Sequence, residues 1–122
     1  MQAIVCKQYG EPHDLVLEQV DSPAPGKGEI KLAVHACGVN FLDTLIIKGE
    51  YQVKPPMPFT PGVEVAGEVI ETGEGVSNVT VGDRVVALAD WGGYAEEVVV
   101  KALTAIPLPE SMDYVTAAAF PL

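Results

Sequence analysis

The stretch EIKLAVHA, residues 29–36, decides the fold class, because its apolar and polar side chains alternate with a period of two. The apolar members fall on one side of an extended chain: Ile30, Leu32, Val34 and Ala36. The polar members fall on the other side: Glu29, Lys31 and His35. This period is typical of a β-strand with one face in a core and the other in water.

Short apolar runs of the same kind recur on both sides of this stretch, and most of the 12 Gly and 10 Pro residues separate them. This is the turn pattern of an all-β domain. Further strands are predicted at residues 3–8, 15–20, 63–69, 84–89 and 94–100, with a short extended piece at 105–108. We expect a mainly β fold, a small partly open barrel or sandwich. A doubly wound sheet is excluded, because its strands would alternate with full-length helices.

One or two short helices are predicted within this β pattern. Residues 40–48 place apolar side chains at helical spacing after Asn40, a good N-cap residue, and Gly49 stands just past the end. A last helix is predicted to start from Ser111 as its N-cap and to run through the alanines at 117–119.

The charge balance excludes two classes of binding protein. The 122 residues include 7 Lys and Arg against 17 Asp and Glu, which gives a formal net charge of −10. A protein that holds nucleic acid through its phosphates needs a basic surface, and an acidic membrane surface would repel this chain. The sequence contains no signal-peptide pattern and no apolar run near the ~20 residues of a membrane helix, so we expect a cytoplasmic domain.

Local spacing assigns no nucleotide site. Gly73-Glu74-Gly75 begins like a dinucleotide-binding fingerprint, but Asn78 stands where its last glycine belongs, and a strand follows instead of a helix. A hairpin turn is the better interpretation, and the chain is expected to have no phosphate cradle of its own.

Local spacing assigns no metal site either. His35 and Cys37 lie two residues apart on one strand and could form a ligand pair, but no third ligand has a recognisable spacing. A surface imidazole and a small buried thiol explain these two residues more simply.

One ordered set of motifs covers essentially the whole chain. It comprises Gly-Glu-Ile at 28–30, Ala-Cys-Gly-Val-Asn at 36–40, Pro-Phe-Thr-Pro-Gly-Val-Glu-Val-Ala-Gly at 58–67, Gly-Asp-Arg-Val at 82–85 and the Gly-Gly-Tyr-Ala-Glu run that contains Tyr94. Each piece is weak alone, but their order and spacing together are highly specific. On these motifs the chain resembles the GroES-like catalytic domain of the medium-chain dehydrogenase/reductase superfamily, which implies a GroES-like, partly open β-barrel.

Two positions separate this chain from the zinc-dependent alcohol dehydrogenases of that superfamily. Asn40 stands where those enzymes bind zinc with a cysteine, and Val63 stands where they use a histidine. Neither side chain supplies a thiolate or an imidazole. The resemblance therefore narrows to the zinc-free branch, which contains the NADPH-dependent quinone oxidoreductases, the zeta-crystallin-like proteins and the enoyl reductases.

The resemblance implies that hydride moves from NADPH to a quinone or another conjugated carbonyl. Negative charge then develops on the carbonyl oxygen, and without a metal, hydrogen-bond donors in a dry slot must stabilise it. The catalytic residues implied are Asn40 and Tyr51 as donors and Asp43 as a polar contact in the cleft. The substrate-binding residues implied are Phe41, Leu45, Phe59, Glu64 and Trp91. Asn40 and Val63 are implied to meet the cofactor.

Most of these residues also have a structural interpretation. Asn40 and Asp43 can cap the helix, and Tyr51 can cover the neighbouring loop. Glu64 lies on a valine-rich strand and needs a partner if it is buried, so a structural salt bridge explains it equally well. Core packing is the favoured interpretation for three apolar residues: Leu45, Phe59 and Trp91.

Two positions depart from the best-known quinone oxidoreductases, which carry a tyrosine at Leu45 and a basic residue at Ile47. These departures predict that the entrance of the substrate-binding site is more apolar and less basic. Enones or acyl thioesters are therefore alternative substrates. An enoyl-thioester or enone reductase therefore stays an alternative, as does a GroES-like binding or assembly module without enzymatic activity.

Members of this branch continue into a Rossmann domain, which this sequence lacks. We expect residues 1–108 to form the GroES-like catalytic domain and residues 109–122 to start the helix that links it to the absent dinucleotide-binding domain. That domain would bind most of the NADPH, so the chain alone is expected to be inactive. An exposed strand edge is expected to make it self-associate.

Overall fold

The computed structural model describes residues 1–121 as a mainly β chain with two short α-helices. Its elements are β1 (Gln2–Val5), β2 (Val16–Gln19), β3 (Glu29–Cys37), α1 (Phe41–Lys48), β4 (Glu64–Thr72), β5 (Arg84–Leu88), β6 (Glu97–Lys101), β7 (Ile106–Pro107) and α2 (Tyr114–Ala118). Single 3₁₀ turns lie at Pro12–Asp14 and Ala102–Thr104. The predicted class and helices are confirmed, while strand ends shift by a few residues.

The strands form two antiparallel sheets that do not close into a complete barrel. β1 pairs with β2, and the larger sheet has the order β6-β3-β4-β5-β7. Isolated bridges from Ala3 to Ala95 and from Cys6 to Phe59 attach the small sheet to loops next to the larger one. The partly open β architecture that the sequence predicts is therefore confirmed.

The pairing of β3 with β4 contains two irregularities that cancel each other. Lys31 pairs with Glu71 and Leu32 with Val69, so Ile70 is an extra residue on β4. Val34 pairs with Gly67 and Ala36 with Ala66, so His35 is an extra residue on β3. Because each bulge adds one residue to one strand, the second restores the register that the first displaced.

α1 starts and ends where local capping chemistry predicts. Asn40 is extended, with φ −127° and ψ 160°, and its backbone N–H donates to the Asp43 carboxylate. Gly49 adopts the left-handed conformation, with φ 72° and ψ 22°, which ends a helix without the clash of a Cβ atom. The buried face of α1 carries Asp43, Ile46 and Ile47.

Three apolar clusters hold these elements together. The largest joins β3, β4, β5 and β6 through Ile30, Leu32, Val65, Val69, Val85, Val98 and their neighbours. The second lies beneath α1 and contains Cys6, Ile46, Ile47, Phe59 and Val63. The third packs α2 on the sheet through Ala66, Val86, Ala117 and Ala118.

Two local expectations were wrong. Asp113, not Ser111, is the N-cap of α2, because its Oδ1 accepts a hydrogen bond of 2.7 Å from the Thr116 backbone N–H. Val63 precedes β4 and packs beneath α1, away from the cluster that contains Val65. β4 begins at Glu64, one residue later than predicted, although the Val63 carbonyl still accepts the Ala89 N–H over 2.7 Å.

α2 lies inside the segment 109–122 that was predicted to start a linking helix. Leu122 lies outside the described residues, so the continuation of that helix stays a prediction. Within residues 1–121, no helix is long and apolar enough to cross a membrane.

Candidate functional site

Asn40 is held by hydrogen bonds at both its backbone and its side chain. Its backbone N–H donates to Asp43 Oδ2 over 2.9 Å, and its side-chain Nδ2 donates to Glu64 Oε1 over 2.7 Å. A carboxylate only accepts hydrogen bonds, so the amide nitrogen must face Glu64. One Nδ2 hydrogen is used in this contact, and at this half-buried position the second has no acceptor among residues 1–121.

Asp43 and Glu64 are both 4 % exposed, so two acidic side chains are buried beside Asn40. Asp43 Oδ2 accepts two hydrogen bonds, whereas its Oδ1 is buried and has no partner among residues 1–121. Glu64 packs closely against Gly38, whose missing side chain leaves room for the carboxylate. The sequence-predicted residues Asn40, Asp43 and Glu64 therefore form one buried polar cluster.

Tyr94 completes this cluster, and the sequence reasoning missed it. Its hydroxyl donates to Asp43 Oδ2 over 2.9 Å. Burial raises the pKa of the Tyr94 phenol above its ordinary value, and the hydrogen bond to Asp43 raises it further, so the phenol keeps its proton at neutral pH. Tyr94 belongs to a motif quoted for the resemblance, but only its position after two glycines hinted at a buried role.

The Cys37 thiol lies beside the same cluster. Burial, together with the nearby charges of Asp43 and Glu64, raises its pKa to about 12. A thiol with such a pKa is a poor nucleophile at neutral pH. Cys37 therefore packs as a small apolar side chain here, as one sequence interpretation predicts.

The surface around Asn40 is apolar. Val39 is 80 % exposed and Phe41 is 78 % exposed, on either side of Asn40 in the chain. Leu45 is half-buried, one helical turn further along α1. Ile47 does not line this surface, because it is 3 % exposed in the cluster beneath α1. The burial of Ile47 gives no support to its predicted effect on the charge of the substrate site, which stays a prediction.

Tyr51 lies at the other end of α1 from Asn40. Eight helical residues span ~12 Å, and Tyr51 packs against the cluster beneath α1. Its hydroxyl makes no hydrogen bond within residues 1–121. The joint action of Tyr51 and Asn40 on one oxygen therefore stays a prediction.

Phe59 and Trp91 line a different groove, of about 920 Å³, together with Pro58 and Leu88. Neither Asn40 nor Phe41 contributes to its lining. Phe59 is only 5 % exposed, so most of its ring packs in the core, as one interpretation predicts.

The described residues provide no glycine turn at a helix N-terminus that could bind a cofactor's phosphates. Gly73 and Gly75 lie in the turn between β4 and β5, and in the described part of the chain no helix begins there. Val63 is 7 % exposed and presents little surface, so its cofactor contact stays a prediction. Asn40 is half-buried, and its predicted contact with the cofactor likewise stays a prediction.

No group of three or more His, Cys, Asp and Glu side chains in residues 1–121 is arranged to hold a metal ion. His35 stacks on Tyr114 with ring centroids 4.1 Å apart. Cys37 instead lies near Asp43 and Glu64. The proposed His35–Cys37 ligand pair therefore has no support in the geometry.

The chain matches a family model and several curated proteins. The model described as "Alcohol dehydrogenase GroES-like domain" matches residues 26–110. "Quinone oxidoreductase-like protein 2" of Rattus norvegicus is 39% identical over 121 residues, which are 99% of this chain and 34% of that protein. The "Quinone oxidoreductase" of the same species is 43% identical over 116 residues, which are 93% of this chain and 35% of that protein.

The fold agrees with a solved structure. The crystal structure of Escherichia coli quinone oxidoreductase complexed with NADPH has a TM-score of 0.91 at 34% identity, and the match covers 98% of this chain and 37% of that one. The chain thus spans about a third of the length of these relatives.

Proposed function

This chain belongs to the alcohol dehydrogenase GroES-like domain family, and from that premise we propose that it is the substrate-binding catalytic domain of a zinc-independent, NADPH-dependent quinone oxidoreductase. Relatives named quinone oxidoreductase, one of them complexed with NADPH, support the substrate class and the cofactor. The observation that carries the proposal is the Asn40 amide, which Glu64 holds at an apolar surface with one N–H left to donate.

NADPH, when bound, would supply the hydride. The residues of this chain meet only its reacting end, at Asn40, and a second domain or a partner must hold its phosphates. Reduction of a quinone by one hydride gives a hydroquinone anion, which takes one proton from water. The quinone oxygen gains charge as the hydride arrives, and the second Asn40 N–H donates to it. Because Glu64 fixes the amide beforehand, little reorganisation is needed as the charge develops.

The apolar residues around Asn40 would select the acceptor. Val39 and Phe41 expose large apolar surfaces on either side of the donor. A flat, uncharged ring that covers them removes water from the reacting oxygen, which strengthens the hydrogen bond. We assign Phe41 and Leu45 to this role. Phe59 and Trp91 line a separate groove and are not needed for it.

The test is steady-state kinetics of the full-length gene product with NADPH and 1,4-benzoquinone. Asn40→Ser keeps a good N-cap residue but removes the amide, and we expect kcat/KM to fall about 100-fold. Asn78→Ser is the matched control, because Asn78 donates to the Ala102 carbonyl, away from the cluster. An Asn40→Ser enzyme within twofold of wild type would overturn the proposal.

Two alternatives have their own readouts. If the enzyme reduces a crotonyl thioester but not the quinone, the substrate is an enoyl thioester and not a quinone. No turnover of either, together with a closed ring on a sizing column, would instead identify a GroES-like assembly module. Zinc that is stoichiometric and essential for activity would contradict zinc independence.

A further inference from the structure

We propose that Tyr94 is a positioning residue, which sets the orientation of the Asn40 amide by fixing the Asp43 carboxylate. This inference rests on the proposed role of Asn40 as the hydrogen-bond donor. Tyr94 itself would not touch the substrate. It would act through Asp43, which joins the Tyr94 hydroxyl to the start of α1.

The contacts form a continuous chain from the β5–β6 connection to Asn40. The Tyr94 hydroxyl donates to Asp43 Oδ2 over 2.9 Å, and the same oxygen accepts the Asn40 backbone N–H over 2.9 Å. The peptide that carries Asn40 is thereby fixed, and from it the side-chain amide extends to donate to Glu64 over 2.7 Å.

The Tyr94 ring is itself held firmly. Its backbone N–H donates to the Pro61 carbonyl over 2.9 Å, and its carbonyl accepts the Ile4 N–H over 2.8 Å. A Cβ atom at Gly62 would lie 2.8 Å from the ring, and Gly62 also has a φ of +107°, so only glycine leaves the ring in this place. The position of the hydroxyl is therefore set by the sheet and its loops, not by α1.

Asp43 depends on this hydroxyl because both of its hydrogen bonds are made by one carboxylate oxygen. Oδ2 accepts both donors, and the buried Oδ1 has no partner among the described residues. Without the hydroxyl, one hydrogen bond would hold a buried carboxylate, which could then rotate and exchange its oxygens at the Asn40 N–H. The burial that raises the pKa of Tyr94 keeps its proton in place for this bond.

The consequence for catalysis is specific. A misaligned donor weakens stabilisation of the developing charge more than it weakens binding of the neutral quinone. We therefore expect Tyr94→Phe to lower kcat roughly fivefold and to leave KM unchanged. A loss of stability alone would not divide the effect in this way at a temperature far below unfolding.

The experiment is a double-mutant cycle of Tyr94→Phe and Asn40→Ser in the full-length gene product, with Tyr9→Phe as the matched control. Tyr9 is 47% exposed and lies outside the cluster. If Tyr94 acts through the amide, Tyr94→Phe lowers kcat in the wild-type background and has no effect when Asn40 is serine. Equal losses in both backgrounds, or no loss in the wild-type background, would overturn the inference.

A second measurement does not depend on turnover. In the ¹⁵N–¹H spectrum of the 122-residue chain, Tyr94→Phe should shift the Asn40 side-chain NH₂ resonances, and Tyr9→Phe should leave them in place. Unshifted resonances in Tyr94→Phe would contradict the positioning role. If Asn40→Ser leaves turnover intact while Tyr94→Phe shifts these resonances, the proposed function fails and the positioning of Asn40 by Tyr94 stands.

Discussion

Glu64 lies so close to Gly38 that a Cβ atom at residue 38 would stand 1.9 Å from the Glu64 Oε1 oxygen. The missing side chain is what allows this carboxylate, which is 4 % exposed, to accept the Asn40 amide. The glycine in the motif at residues 36–40 is thus required by close packing against a buried acid.

Gly38→Ala should therefore destabilise the chain by about 2 kcal/mol, because a buried group must move to admit the methyl group. Urea unfolding would measure the loss. Gly26→Ala is the matched control, since its nearest neighbour is the end of the Glu29 side chain at 3.1 Å, which can move away. The explanation fails if the two variants are equally stable.

Cys37 should resist alkylation in the folded chain. Burial and the nearby Asp43 and Glu64 charges raise its pKa from 9.0 to about 12, which lowers the reactive thiolate fraction about 1000-fold at pH 7. Mass spectrometry after iodoacetamide treatment would show slow modification of native Cys37 and fast modification in denaturing urea. Asp43→Asn should accelerate the native reaction, and rapid labelling of the wild type would contradict the prediction.

Glu97 should contribute stability that depends on pH. The hydrogen bond from Ser22 and the nearby Lys31 charge hold its pKa below the ordinary value of 4.5. A carboxyl with a lower pKa in the folded state stabilises fully above about pH 4.5, and this contribution is lost as the pH falls through the folded value.

Glu97→Gln should therefore weaken the chain at pH 7 and have less effect near pH 3, as measured by urea unfolding at both values. The loss should be small, because the Glu97 side chain is 30% exposed and the ion pair is partly screened. Glu110→Gln is the control, since Glu110 is exposed and outside this network. A Glu97→Gln effect that is equal at both pH values would argue against the assignment.

The chain should self-associate through an apolar patch around β7. Ile106 is 63% exposed and Phe120 is 69% exposed, and both line a groove of about 340 Å³. We expect light scattering to detect dimers or larger species at ~100 μM, and Ile106→Lys to restore the monomer. Leu103→Lys is the control, because Leu103 is 93% exposed but does not line the groove. A monomeric wild type would refute the prediction.

The parts of the fold that local chemistry determines could be predicted from the sequence. The alternation at residues 29–36 gave β3, and the residues that cap α1, Asn40 and Gly49, marked its two ends. The cap of α2 was assigned wrongly because serine and aspartate cap helices equally well. Only the contact with the Thr116 N–H distinguishes Asp113 from Ser111.

The candidate site was predictable only in part, for a reason of distance along the chain. Asp43 and Asn40 lie within one helical turn, but Tyr94 is 51 residues away from Asp43, and no periodicity links the two. The resemblance implies one apolar slot for Phe41, Phe59 and Trp91, but the apolar character of these residues says nothing about which groove each one lines.

The paired bulges of β3 and β4 have a consequence for how this domain can change length. His35 and Ile70 have no partner across the ladder, so removing either one would leave the flanking pairs in register, including Cys37 with Val65. Such a deletion would remove only the local bend and added twist of the bulge. These strands should therefore tolerate the loss of one residue at a bulge far better than at a paired position, where the rest of the strand would turn to the opposite face.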